Sequence, residues 1–411
     1  MLVLAGVCYN TLLAFLGARG LPTSLPLVIV AELAVLGAAA LVLLRSGIRA
    51  TDTPAVLLFA FFLISALVVS LINGELFIDM ARNVAIITIF LMIGARVDER
   101  TVRRTFAIIA SLVFAFLLLE IVSVSSYAAL LEPGRYFEQT RGISRFELDE
   151  IGLFANAIGF DDRFSILDIV GHRTSSLFLE QVSLANFAIV TTVFVVSMWP
   201  RISWQARTAY ALLIILILVT TNSRTALAIV LVAPLIYVIA PKLPRFITLG
   251  LMPAVVLSAW LVTAGMPVST EDTLVGRVGL TIRTLGDVDL LASLGGKALE
   301  APSLVDSGYT YIIYASSIFG LCVLWIFFAT FAAGSDAVQK RCNMMLGIYL
   351  AVNLLIGATA VFTIKVAALL YLLVGFIQRE SQARAISSRS GRDANEGQSE
   401  RMRALRSRHV T

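Results

Sequence analysis

The chain has 411 residues, 58% of them hydrophobic and 14% charged, with a formal net charge of +5. That balance excludes a soluble globular domain and places the sequence among polytopic membrane proteins, so length counts spans here. The positive charge gathers at loops and a tail, which argues against a nucleic-acid surface. Cys8, Cys322 and Cys342 have neither metal-ligand spacing nor the makings of a disulfide framework.

Apolar runs long enough to cross a bilayer fall at 2–18, 25–44, 54–72, 81–95, 105–127, 174–198, 208–221, 224–240, 246–265, 308–333, 343–359 and 362–377. The first lacks a basic flank and a small-residue cleavage site, so it reads as a retained span and not a signal peptide. The expected fold is an all-α polytopic membrane protein of about twelve helices. One transmembrane domain covers 1–377, and a basic, disordered tail covers 378–411.

Charge placement orients these helices. With the N-terminus in the cytoplasm, the inner loops hold Arg45 and Arg49, Arg96 to Arg104, Arg201 and Arg207, Lys242 and Arg245, and Lys340 and Arg341. The tail, also inside, adds further arginines. Most carboxylates fall on the other side, which is the positive-inside pattern, with both termini cytoplasmic. Two outer segments, 132–172 and 266–307, are too long for turns and too apolar for disordered linkers. They read as ordered loops capping a cavity, the amphipathic stretch Phe146–Phe160 among them.

The stretch Gly171–Phe187, GHRTSSLFLEQVSLANF, organises the functional reading. Read as one helix, it brings Glu180 back to the face of Arg173, roughly 10 Å deeper, with Ser176 and Ser183 near the same stripe. An ionisable group in a membrane helix costs roughly 2.5–3.5 kcal/mol and faces a bundle interior or a wet cavity. Other outer basic residues are Arg224, in TNSRT; Arg277 and Arg283, in GRVGLTIRTL; Lys297; and Lys365, at the outer end of the last run. Helices entering from outside present N-termini that favour anions. Asn222 or Ser223 can cap one, and Asp306 or Ser307 another. Arginines beside such ends suit a phosphate or pyrophosphate. Blander roles fit each residue alone: an interfacial anchor for Arg173 or Arg224, a packing ion pair for Glu180, a cap for Asp306, a loop residue for His172. Glu32 and Glu120 carry no flanking motif.

Three segments together, RTSSLFLEQVSLANF (Arg173–Phe187), TNSRTAL (Thr221–Leu227) and GRVGLTIRTL with DSGYTYIIYASSIFGL (Gly276–Leu285, Asp306–Leu321), resemble the bacterial exopolysaccharide polymerases of the Wzy-dependent pathway. These belong to the O-antigen polymerase and ligase superfamily. The resemblance covers about residues 170–330. It implies a GT-C-like membrane glycosyltransferase that moves a growing glycan from undecaprenyl pyrophosphate onto a lipid-linked repeat unit, at the periplasmic face of the inner membrane. It implies no nucleotide sugar, metal or other cofactor. A chain-length regulator and export machinery are the implied partners. On this reading Arg173, Glu180, Arg224 and Asp306 are the catalytic candidates, with Arg277, Arg283, His172 and Tyr309 binding substrate. Glu180 and Asp306 are the candidate proton acceptors, the semi-buried position of Glu180 raising its carboxyl toward useful values; a departing phosphate oxygen is the alternative acceptor. Ligases of the superfamily carry a His-Asn type pair where this chain has Asp306-Ser307-Gly308-Tyr309, and Gln181 replaces an expected proline. Asp287-Val288-Asp289 has the spacing of a nucleotide-sugar motif but falls in an outer loop. A ligase, and a lipid-linked oligosaccharide flippase or other transporter, are the alternative readings; a third, a scaffold or regulatory subunit, is disfavoured by internal ionisable residues such as Glu180.

Overall fold

The computed structural model describes residues 1–143, 151–154, 157, 167, 169–265, 274–304, 306–331, 334, 336–357 and 360–380. Among them there is no strand. The helices are α1 (Leu2–Gly17), α2 (Leu25–Ser46), α3 (Thr53–Asn73), α4 (Asp79–Gly94), α5 (Glu99–Val122), α6 (Val124–Leu131), α7 (Pro133–Arg141), α8 (Gln181–Met198), α9 (Trp204–Thr221), α10 (Arg224–Ile239), α11 (Leu251–Thr263), α12 (Leu274–Gly286), α13 (Leu290–Ser293), α14 (Gly308–Ala315), α15 (Ile318–Phe331), α16 (Ala337–Ile356) and α17 (364–380). Among the described residues six helical stretches are long and apolar enough to cross a membrane on their own, or seven if the bent pair α14 and α15 counts as one span.

The helices divide by what surrounds them. Of α8's apolar window 89% is buried, against 17% for α2. α8 packs on α9, α10 and α16, and α17 is buried along almost its whole length. The outer helices α2, α3 and α10 expose Leu33, Leu41, Leu57, Leu71, Leu231 and Leu235. So much exposed aliphatic surface is incompatible with water and matches hydrocarbon. The chain is an α-helical membrane protein.

Between lipid-like surroundings, close packing and not burial from water holds helices together. α4 and α17 show it. A Cβ on Gly375 would lie 2.0 Å from the Leu91 carbonyl oxygen, and one on Gly94 would lie 2.2 Å from that of Leu372. The two backbones touch where neither has a side chain.

The connections sort into two ends. At one, Arg96 bonds Asp52 (2.6 Å) and the Gly47 carbonyl, Arg201 pairs with Glu99 and Glu380, and Lys340 caps the Pro241 and Leu243 carbonyls. The basic residues assigned from sequence to inner loops thus gather together. At the other, the loop end, Arg19 reaches the Leu130 carbonyl, Asn73 donates to that of Gly295, and Thr281 to that of Leu355.

Several expectations are corrected here. The run 105–127 divides at Ser123, whose hydroxyl accepts the Ser126 N–H and starts α6. The run 308–333 is not one straight helix: α14 and α15 meet at a bend of 118°. Ser316 turns its hydroxyl back to the Ile312 carbonyl, and Ser317 caps the new helix through the Gly320 N–H. α14 therefore lies across the loop end, buried under the segment 298–304 and against α12 and α16. The helix expected over 174–198 begins only at Gln181. α17 continues to 380, past the expected start of the tail, and most of Phe146–Phe160 and all of 381–411 lie outside the described residues.

Candidate functional site

The centre of the loop end is the non-helical segment 171–180, built around a carboxylate from another helix. Glu120, fully buried near the end of α5, accepts the backbone N–H groups of Ser175 (3.0 Å) and Ser176 (2.6 Å) and the Ser175 hydroxyl (3.3 Å). Each of those donors lacks a helical partner, so the carboxylate supplies what a helix would have supplied. Tyr127 of α6 bonds the Ser176 carbonyl, Ser176 Oγ bonds the Val113 carbonyl, and Thr11 of α1 bonds the Leu177 carbonyl. Thr174 is held to α9 through Thr220, by its N–H (3.1 Å) and its hydroxyl (2.7 Å). Ser176 and Leu179 adopt φ of +48° and +61°, costly for side chains of these types and held by the surrounding bonds. Thr11 lies six residues inside the end of α1, about 9 Å by helical rise, so the segment dips into the bundle.

This corrects the single-helix reading of Arg173 and Glu180. They do not share a helix face, because the backbone between them is a short 3-10 turn between two left-handed positions. The loop sends them to different neighbours. Arg173 Nε donates to the Thr221 carbonyl (2.8 Å), at the end of α9 and three residues before Arg224. Arg224, half-buried, is the first residue of α10, which Ser223 caps through the Ala226 N–H. Both arginines thus flank the corner between α9 and α10. His172 Nε2 lies 3.5 Å from Glu120.

Glu180 sits at the N-cap of α8, immediately before its span. Its carboxylate meets Arg141 of α7 (3.2 Å), Lys365 of α17 (3.6 Å) and the Ser183 hydroxyl (3.2 Å). Burial disfavours its charge, but Lys365 and Arg141 outweigh burial and hold the carboxyl below the usual range, reversing the expectation of a raised value. The Lys365 side chain is 2% exposed, whereas Arg141 is 42% exposed, so the cluster runs from the interior to the surface. Close by in the fold, Glu32 of α2 takes the Tyr9 hydroxyl (3.2 Å) and Arg82 of α4 (3.3 Å).

The remaining candidates are distributed around this centre. Arg277 approaches Asp306 at 3.8 Å, both half-exposed or more. Asp306 does not cap α14; Ser307 holds the N-cap position, its hydroxyl bonded to Thr310 and Thr284. Arg283 is exposed on α12 and donates to its own helix at Gly279. Tyr309 is buried, with its hydroxyl on the Ala351 carbonyl (2.8 Å), which locks α14 to α16 and leaves its ring no path to a ligand. Asp289 is likewise spent locally: it pairs with Lys297 (2.7 Å) and caps α13.

Four residues of this site had no assigned role in the sequence reading. Glu120 and Glu32 are carboxylates inside apolar runs, a sufficient signal by cost alone. Lys365 carried the same signal, one turn inside the last run. Arg141 lay in a polar loop segment and had no distinguishing neighbours in sequence.

No protein-family model, curated protein or solved structure matches the chain.

Proposed function

We propose that the protein is a metal-independent membrane glycosyltransferase, a polysaccharide polymerase. It transfers a growing glycan from undecaprenyl pyrophosphate to a lipid-linked repeat unit at the periplasmic face of the inner membrane. On this reading about twelve helices span, in a GT-C-like arrangement with both termini cytoplasmic, and the loop end faces the periplasm. A chain-length regulator and export machinery act beside it. The observation that carries the reading is a charged loop end: a carboxylate between a buried lysine and a surface arginine, and, at the start of the same loop, Arg173 held at the corner that Arg224 opens.

The chemistry asks for what these residues offer. The acceptor hydroxyl attacks the anomeric carbon, the bond to pyrophosphate breaks, and its electron pair leaves on the phosphate oxygen. Fixed cations in a water-poor site stabilise that charge. Arg173 and Arg224 have this role. Holding two lipid-linked substrates side by side removes an entropic cost from the encounter. The hydroxyl proton passes to Glu180. Asp306 and Arg277, exposed at the rim, and Arg283 on α12 contact glycan or carrier. His172, beside Glu120 at 3.5 Å, also contacts substrate on this reading.

The test is the size of carrier-linked glycan in cells lacking the protein, with the flippase intact. Single repeat units on undecaprenyl pyrophosphate in the outer leaflet are the expected result, and Arg173→Ala or Arg224→Ala should reproduce it with normal protein in the membrane. Long carrier-linked chains would mean a ligase instead. Repeats trapped in the inner leaflet would mean a flippase.

A further inference from the structure

Lys365 is the least explained charge in the molecule. It stands in the first turn of α17, whose next charged residue is Arg379 at the far end of the helix, and is 2% exposed. Its ammonium has no hydrogen-bond partner among the described residues, and its nearest anion is Glu180 at 3.6 Å. An ammonium carries three donors and loses several kcal/mol of hydration on burial, so a structural ion pair is expected to be short and fully bonded. This one is neither. Arg141 meets the other oxygen of the same carboxylate and remains 42% exposed. Two cations from α7 and α17 therefore converge on one carboxylate, one in reach of the surface and one behind it.

We propose that Lys365 and Arg141 form a diphosphate-binding pair that exchanges the Glu180 carboxylate for phosphate oxygens when substrate enters. A diphosphate offers more acceptor atoms and more charge than a carboxylate, enough to satisfy the guanidinium fork and the unbonded ammonium together. The exchange also frees Glu180 from both counter-charges, leaving it the Ser183 hydroxyl alone and making it a better proton acceptor at the moment the donor is bound. The choice of diphosphate over other anions rests on the glycosyltransferase reading; the convergence of the two cations does not.

The test is direct binding to the purified full-length protein in nanodiscs, with undecaprenyl diphosphate, inorganic pyrophosphate and phosphatidylglycerol as separate probes. Lys365→Met, close in shape, should weaken diphosphate binding at least tenfold while the protein stays monodisperse. Glu180→Gln removes the competing charge and should tighten binding several-fold. A purely structural ion pair gives the opposite pattern for Glu180→Gln: a less stable protein and no gain in affinity. Undecaprenyl diphosphate binding that depends on Lys365 supports the proposal. Binding of pyrophosphate alone supports the anion site and removes the lipid tail from its recognition. Equal affinity of Lys365→Met and the natural protein, or binding of phosphatidylglycerol as tight as diphosphate, overturns it. Lys365-dependent binding in a protein whose loss leaves polymer length normal would keep this site and refute the polymerase reading.

Discussion

Glu120 and Glu180 put the same functional group to different uses within one loop. Glu120 has no exposure and binds the chain itself, replacing the hydrogen bonds that residues 175 and 176 would have made in a helix. Truncating it leaves two buried N–H groups without acceptors, at about 1–3 kcal/mol each. Glu120→Ala should therefore destabilise the protein by roughly 2–6 kcal/mol, read as a fall in the thermal midpoint in detergent. It should also release Arg173 from its place by Thr221. A midpoint unchanged within a degree would mean that the loop is held by Thr174, Tyr127 and Thr11 without it. Glu180, by contrast, is itself 20% exposed and meets one cation, Arg141, that reaches the surface, so it is available for exchange. Arg173, Glu180 and Arg224 were legible in the sequence because ionisable residues stand out in apolar runs. The partners of Glu180 were not, because Arg141 and Lys365 come from α7 and α17, and sequence spacing carries no information on contacts between helices so far apart in the chain.

At the scale of elements, most helices follow from apolar run length, and the exceptions share a cause. The breaks at 179–181 and 316–317 occur without proline or glycine, the residues that usually mark them. Ser176 and Leu179 take positive φ because tertiary bonds to α1, α5 and α6 hold them there, and Ser316 and Ser317 break their helix with their own hydroxyls. Hydropathy reads straight through both sites. The junction of α4 and α17 matters because α17 carries Lys365, and its position depends on the contact at Gly94 and Gly375. Gly375→Ala places a methyl group against the Leu91 carbonyl and must push the two helices apart. Overpacking of this kind costs about 1–3 kcal/mol. The expected outcome is a lower thermal midpoint together with weaker diphosphate binding. Gly37, whose Cβ would meet nothing within 4 Å, is the control, and Gly37→Ala should change neither. Equal effects from both would show that helix propensity, and not the approach of α4 to α17, sets the response.

The described residues form a bundle with a basic end and a loop end that holds the cluster of Glu180, Arg141 and Lys365. That polarity was readable from the alternation of basic and acidic loops. The cover over α14 was not: it comes from the segment 274–304, which showed in sequence only as part of a loop too apolar to be disordered. At the basic end the Arg96–Asp52 and Arg201–Glu99 pairs tie neighbouring connections together. The central claim is chemical, so the most direct measurement is reconstitution. Purified protein in proteoliposomes is given undecaprenyl-pyrophosphate-linked repeat units, and the length of carrier-linked glycan is followed by mass spectrometry without added metal or nucleotide sugar. The account predicts chains of increasing length, lost in Arg173→Ala and in Lys365→Met. Repeat units that bind but never lengthen, in a protein that is folded and correctly inserted, would contradict it.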